Sequence, residues 1–226
     1  MKKLIKNIIG GVSLNVLLVS VFFVLALFIF SFLAHEVMSE NETSFDDRAF
    51  DFFKAHTTNG LVEIMRVLTF FGSSYFFLPA YIILIGFLII KHKRTEAINI
   101  AIIAATSTLL MFGLKEIFHR SRPPLPLFKT LTNFSFPSGH ALSSFIFCSV
   151  LIYLTWKGRM SSTWKWTLAV LLILFSIAIG ISRIVLRYHF ASDVLAGFCL
   201  GFAWVIFSLW LERKLTPQSL ERQLDV

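Results

Sequence analysis

Apolar residues gather in six long runs, each closed off by charged or turn-forming clusters, at 12–34, 74–90, 97–114, 138–156, 166–182 and 194–211. A helix that crosses the roughly 30 Å hydrocarbon layer needs about 17–25 such residues. Backbone groups in lipid must bond within their own segment, so runs of this length read as helices. The pattern predicts an all-α, six-helix transmembrane bundle. The first run follows Lys2, Lys3 and Lys6 and is uncharged over 10–34. A cleaved signal sequence has the same order but an apolar core of only about 7–15 residues. The run is therefore expected to stay as a first helix and signal anchor. Between the first two spans, Phe45, Ala49, Phe50, Phe52 and Phe53 are interleaved with Asp46, Asp47, Arg48, Asp51 and Lys54. This predicts a short amphipathic helix at the membrane surface. A second short helix is expected over 61–71, with Glu63 and Arg66 spaced to pair on one face. No repeat or linker divides the chain, so 1–226 is expected to be one domain.

Composition narrows the class. Apolar side chains make up 56% of the chain and Asp, Glu, Lys and Arg only 15%, against about 45–50% and about 25% in soluble domains. That excludes a soluble globule and fits the abundance of phenylalanine, 26 residues. The net charge of +8 comes from short loops rather than a basic tail, so nucleic acid is not an expected partner. Cys148 and Cys199 both lie inside apolar runs and read as buried fillers.

Six spans put both termini on one side. That side holds Lys2, Lys3, Lys6, Lys91, Lys93, Arg94, Lys157, Arg159, Lys165, Arg213, Lys214 and Arg222, twelve of the 21 basic residues. The other side carries Glu36, Glu40, Glu42, Asp46, Asp47 and Asp51. The positive-inside rule then puts the termini in the cytoplasm. Six of the nine outer basic residues fall in two loops, 115–137 and 183–192, and orientation does not explain that concentration.

Chemistry does. Lys115, Arg122 and Arg183 are three cations that the topology sends to one membrane face. Ionisable groups there need a partner, and a shared anion would supply one. Pro137-Ser138-Gly139-His140 opens a helix: Ser138 suits the N-cap, Gly139 allows close approach to the backbone, and the free N–H groups of a helix start favour an anion. Three cations and a helix start suit a phosphate dianion. His189 and Asp193 are four apart and would share a helix face. An Asp that accepts from one ring nitrogen leaves the other with a free lone pair. His140 could act as the acid for a departing oxygen.

Lys115-x6-Arg122-Pro123, Pro137-Ser138-Gly139-His140 and Ser182-Arg183-x5-His189-x3-Asp193 resemble the three-part signature of the type-2 phosphatidic acid phosphatase (PAP2) superfamily. That superfamily also includes vanadium haloperoxidases and bacterial acid phosphatases. The signature region covers 115–193, and the six-helix pattern extends the likeness over nearly the whole chain. The resemblance implies that Lys115, Arg122, Arg183, Ser138 and Gly139 hold the phosphate. It implies that His189 is the nucleophile, that Asp193 orients it, and that His140 is the general acid. Ser182 belongs to the pattern without a derivable role. Arg120 and Arg187 lie outside it. They read either as contacts to a second phosphate or headgroup, or as ordinary interfacial arginines. Asp46-Asp47 lacks a third ligand, so no metal is expected, and no cofactor or obligate protein partner either. Asn41 and Asn133 each begin a glycosylation sequon.

The resemblance implies a metal-independent lipid phosphatase that acts through a phosphohistidine. The expected substrates are undecaprenyl diphosphate, phosphatidylglycerol phosphate or phosphatidic acid. The expected setting is a bacterial inner membrane, with the site on the periplasmic face. A lipid A phosphatase or a lipid phosphotransferase of the same superfamily would use the same residues. A channel or transporter would need polar residues strung through the spans, and these are absent from the pattern.

Overall fold

The structure, a computed structural model, describes residues 14–39 and 44–215. Lys2, Lys3, Lys6, Glu40, Asn41, Glu42 and Arg222 lie outside the described residues. Among those described there are eight helices and no strand: α1 Leu14–Met38, α2 Ser44–His56, α3 Asn59–Phe70, α4 Ser74–Ile90, α5 Arg94–Phe118, α6 Gly139–Lys157, α7 Ser162–Val185 and α8 Ala191–Leu215. Over the described residues a helix covers each of the six expected apolar runs. Five of these helices are long and apolar enough to cross a membrane, and α3 with α4, bent by 40° at their junction, supplies a sixth. Helix α5 runs past the expected 97–114 at both ends, because hydropathy stops at the first charges whereas backbone hydrogen bonding continues through them. Glu96 sits in its first turn and Lys115 in its last.

The outer faces show where lipid lies. Helix α1 exposes Leu17, Phe22, Val24 and Phe28, and α4 exposes Leu78, Ile82 and Ile83. Apolar faces of this extent require a nonaqueous neighbour, and the chain is an integral membrane protein.

Helix α6 occupies the middle, packed against α7 on one side and α8 on the other, while α1 leans on α8 and α4 on α5. Leu142, Ile146 and Val150 of α6 share a core with Ile100 and Ile103 of α5, Leu88 of α4, and Leu200 and Val205 of α8. Close approach of α6 and α8 depends on Gly197: a Cβ there would lie 2.7 Å from the Ser138 carbonyl oxygen. A second cluster joins Leu33, Ala34 and Ala196 to Phe136. Phe136 stacks on Phe30 at 5.9 Å and meets Phe118 edge-on at 4.8 Å. The long loop between α5 and α6 is thereby pinned into the bundle just before Ser138.

The two short helices expected between the first two spans are α2 and α3. In α3, Arg66 donates to Glu63 at 2.7 Å, as the spacing suggested. Helix α2 packs on α7 and α8. It leaves Phe45 and Phe52 exposed but turns Asp46 inward, where it is buried.

Candidate active site

The site residues sit at helix ends, and local sequence explains each position. Lys115 lies in the last turn of α5. That helix stops at His119, whose φ of 47° is left-handed and whose N–H bonds back to the Lys115 carbonyl. The loop 119–138 then returns to Ser138, which caps α6: its Oγ accepts from the Ala141 N–H at 3.5 Å, as expected of an N-cap serine. Arg183 is in the last turn of α7. Beyond it, Leu186 ends the helix and Arg187 takes φ 58°. The Arg187 N–H reaches the Ile184 carbonyl at 2.9 Å and the Tyr188 N–H the Arg183 carbonyl at 2.9 Å. These paired bonds are a Schellman turn. It brings the chain back on itself and sets His189, whose own N–H also reaches the Arg183 carbonyl.

The expectation that His189 and Asp193 share a helical face needs correction. His189 precedes α8, which begins at Ala191. Asp193 is the third residue of that helix, and its Oδ2 accepts from the Phe190 N–H at 2.9 Å. This is half of a capping box. The fold of the cap, not a helical repeat, brings the carboxylate to the imidazole.

The result is a convergent cluster. His189 Nδ1 lies 3.3 Å from Asp193 Oδ2, and His189 Nε2 lies 3.3 Å from an Arg122 NH group. With the Nδ1 proton directed at the carboxylate, the Nε2 lone pair faces Arg122. Arg122 is held by the carbonyls of Asn133 at 2.7 Å, Tyr188 at 2.5 Å and Phe134 at 3.2 Å, and by Asn133 Oδ1 at 2.8 Å. Lys115 donates to the carbonyls of Phe134 at 2.5 Å and Ser135 at 3.3 Å. Arg183 donates to Thr69 Oγ1 at 2.6 Å and stacks over the Tyr188 ring at 4.3 Å, while its Nε is buried without a partner. An unpartnered N–H on a buried cation is a donor waiting for an acceptor. The Ser138 N–H donates to the Asp193 carbonyl at 3.0 Å, tying the α6 start to the α8 start. Gly139 is the first residue of α6 and abuts Met111. His140 has Lys115, Arg122, Arg183 and His189 as its electrostatic neighbours. Ser182 bonds to the Ile179 carbonyl of its own helix at 2.6 Å and is fully buried, a packing position.

Charge around His189 is lopsided. Burial, then Arg183, Arg122 and Lys115, hold its imidazole well below the usual histidine range, since each penalises a further positive charge. A neutral imidazole retains the lone pair that nucleophilic attack requires. Burial also lowers Arg122, against the opposing pull of Asp193.

Arg120 and Arg187 both have partners within the protein. The Arg120 guanidinium is engaged inside the protein, at 2.5 Å from Asp193 Oδ1 and 2.8 Å from Asp46 Oδ2. Its two NH groups are taken by Asp193, Ser192 and Asp46. Arg187 fills the left-handed position of the Schellman turn and stacks over Phe50 at 5.1 Å. Ser135, Gly72 and Asp46 were not foreseen. Ser135 Oγ donates to Asp193 Oδ2 and lies 3.3 Å from His189 Nδ1. Its only signal in the sequence was the Asn133 sequon, and Asn133 is instead a ligand to Arg122. Gly72, at the α3–α4 junction, leaves no room for a Cβ, which would fall 2.7 Å from the His140 ring.

Known proteins resemble this chain in sequence and fold. The family model of the PAP2 superfamily matches residues 96–217. Phosphatidylglycerophosphatase B of Bacillus subtilis is 32% identical over 142 residues, covering 62% of this chain and 70% of that protein. An undecaprenyl-diphosphatase of Sulfolobus acidocaldarius is 30% identical over 177 residues, 74% of this chain and 77% of that one. Among solved structures, the transmembrane PAP2-type phosphatidylglycerolphosphate phosphatase of Bacillus subtilis superposes with a TM-score of 0.77 at 26% identity, covering 87% of this chain and 98% of that one. LpxE of Aquifex aeolicus shares the fold, with a TM-score of 0.62 at 24% identity over 75% of this chain and 97% of its own. The chain belongs to the PAP2 superfamily.

Proposed function

We propose that this chain is a membrane lipid phosphatase that removes a terminal phosphate through a covalent phosphohistidine on His189. The observation that carries the reading is the orientation of one imidazole: Nδ1 on a buried carboxylate and Nε2 3.3 Å from Arg122, with Arg183 and Lys115 among its charged surroundings. In this reading Lys115, Arg122, Arg183 and the Ser138–Gly139 helix start hold the phosphate oxygens. The Nε2 lone pair attacks phosphorus, the bond from phosphorus to the lipid oxygen breaks, and His140 gives that oxygen a proton. Water then attacks the phosphohistidine, gives up its proton to His140, and releases inorganic phosphate and free His189. The cations stabilise charge on the equatorial oxygens in both steps.

The substrate keeps its tail in lipid and presents its phosphate at the helix ends. The relatives favour an isoprenoid diphosphate or a phosphatidylglycerol phosphate. The charge distribution over the loops favours a site on the outer face, with the termini cytoplasmic.

Purified protein given a panel of lipid phosphates, with a chelator present, should release phosphate. His189→Ala should lower the rate at least about 1000-fold, as loss of a nucleophile does. An alkaline quench of single turnovers with labelled substrate should trap acid-labile phosphate on the wild type alone. Undiminished release by His189→Ala would refute the nucleophile.

A further inference from the structure

Outside the phosphate cradle, buried charge runs in a line from α2 to His189. Asp46 is 5% exposed, on a helix whose other acidic residues are not buried. A carboxylate in that position must be fully bonded. Asp46 Oδ1 accepts from the Ser192 N–H at 2.8 Å, one of the first-turn donors of α8 that has no acceptor within its own helix. Asp46 Oδ2 accepts from Ser192 Oγ at 2.6 Å and from an Arg120 NH group at 2.8 Å. The other NH group of Arg120 donates to Asp193 Oδ1 at 2.5 Å and to Ser192 Oγ at 2.7 Å. Phe190 lies under the guanidinium at 4.2 Å and fixes its plane. Asp193, wholly buried, thus has Oδ1 taken by Arg120 and Oδ2 facing His189 Nδ1.

We propose that Asp46 and Arg120 are positioning residues for catalysis: a relay from α2 that fixes the Asp193 carboxylate and, through it, the tautomer and angle of the His189 ring. The proposal rests on the phosphohistidine reading above. Its first member lies upstream of the 96–217 region that the family model matches, so the relay adds a part of the site from outside that region. The geometry argues against a purely structural role. A cap on α8 needs only the Asp46 Oδ1 bond. The Arg120 fork goes further, holding one oxygen of each carboxylate and so locking the Asp193 torsion. Without Arg120, the buried Oδ1 would lose its donor while Oδ2 kept the Phe190 N–H and the Ser135 hydroxyl, and the carboxylate would pivot about Oδ2. The 3.3 Å contact to Nδ1 is long enough to be lost by a small rotation. Without Asp46, one NH group of the guanidinium loses its acceptor, and the fork is held from one side only.

The test uses the full-length protein in detergent, with phosphatidylglycerol phosphate as the lipid phosphate. Asp46→Asn keeps an oxygen for the Ser192 N–H but removes the charge that holds Arg120. It should lower kcat about tenfold with KM changed less than about twofold. Arg120→Gln should lower kcat about 100-fold; losses of this size are typical when a group that orients an active-site ligand is removed. Because the two act in series, the double variant should be no slower than Arg120→Gln alone. Melting temperatures within about 3 °C of wild type would exclude unfolding as the cause. If Asp46→Asn does not fold, Ser192→Ala takes its place. It keeps both charges, removes the bridging hydroxyl, and should lower kcat about threefold. Wild-type kcat in the single variants, or losses that multiply in the double, would overturn the relay while His189→Ala remains inactive. Activity in His189→Ala would instead overturn the phosphohistidine reading itself.

Discussion

His189 is neutral in the free protein because of what surrounds it. Arg183 comes from α7, Arg122 from the loop before α6, Lys115 from α5 and His140 from α6. Asp193 on α8 is the one anion in contact, and Arg120 occupies its far oxygen. Burial and the three cations together outweigh the carboxylate, so the imidazole is held well below the usual range. The sign follows directly. Protonation removes the lone pair, so activity is lost on the acid side, as pH falls through the depressed value. The acid limb of kcat/KM should therefore lie below the ordinary histidine value of about 6.5. Release rates from pH 4 to 9 would check it, after correction for the substrate's own second ionisation near about 6. A limb at or above 6.5 would contradict the geometry. The roles of single residues were readable in the sequence only where chemistry and motif coincided. Lys115, Arg122, Arg183, His140 and His189 announce themselves by charge in an apolar chain. Ser135 does not, because a serine two residues before a proline carries no signal of the carboxylate it will meet 58 residues later.

Elements position these residues through their ends, and the ends are where periodicity says least. The hydropathy pattern places α4 over its observed span but stops short at both ends of α5, where charge begins before the helix finishes. The Schellman turn after α7 is built on Arg187 rather than glycine, so composition alone gives no hint of it. The α3–α4 junction is another such place. Thr69 receives a bond from Arg183, and Gly72, three residues on, lies against the His140 ring. The junction therefore touches one proposed phosphate ligand and the proposed acid. A Cβ at Gly72 would come within 2.7 Å of His140 and 2.6 Å of Ile179, and neither neighbour can retreat freely. Gly72→Ala should displace the ring and lower kcat about 10- to 100-fold, in the range reported for small misplacements of a catalytic group. Overpacking should also cost about 1–3 kcal/mol of stability. Steady-state kinetics with a thermal melt would separate the two effects. A variant with full kcat would mean that His140 tolerates the shift and has a looser role than acid catalysis requires.

For the whole molecule, the ends of α5 and α7 and the starts of α6 and α8 all lie on one side of the bundle, joined there by α2 and α3. That layout follows from the count of spans, which the hydropathy pattern already contained. The contact between Asp46 and Ser192 does not follow from it, since the two are 146 residues apart and meet only once α2 has docked on α8. Charge distinguishes the two sides of the membrane. On the side away from the site stand Lys91, Lys93, Arg94, Arg159, Lys165, Arg213 and Lys214, and the Lys157–Glu96 pair at 3.4 Å. On the site side Lys115, Arg120 and Arg122 are committed to carbonyls and carboxylates, while Arg48, Lys54 and Lys129 are exposed. Loop lysines and arginines stay cytoplasmic because translocating them is disfavoured. The surplus of free charge on the side away from the site is therefore expected to be cytoplasmic. On a background with Cys148 and Cys199 replaced by alanine, Lys129→Cys should react with an impermeant maleimide added to intact cells. Arg159→Cys should react only after the membrane is opened. The reverse pattern would put the phosphate site in the cytoplasm and would restrict the enzyme to lipid phosphates of the inner leaflet.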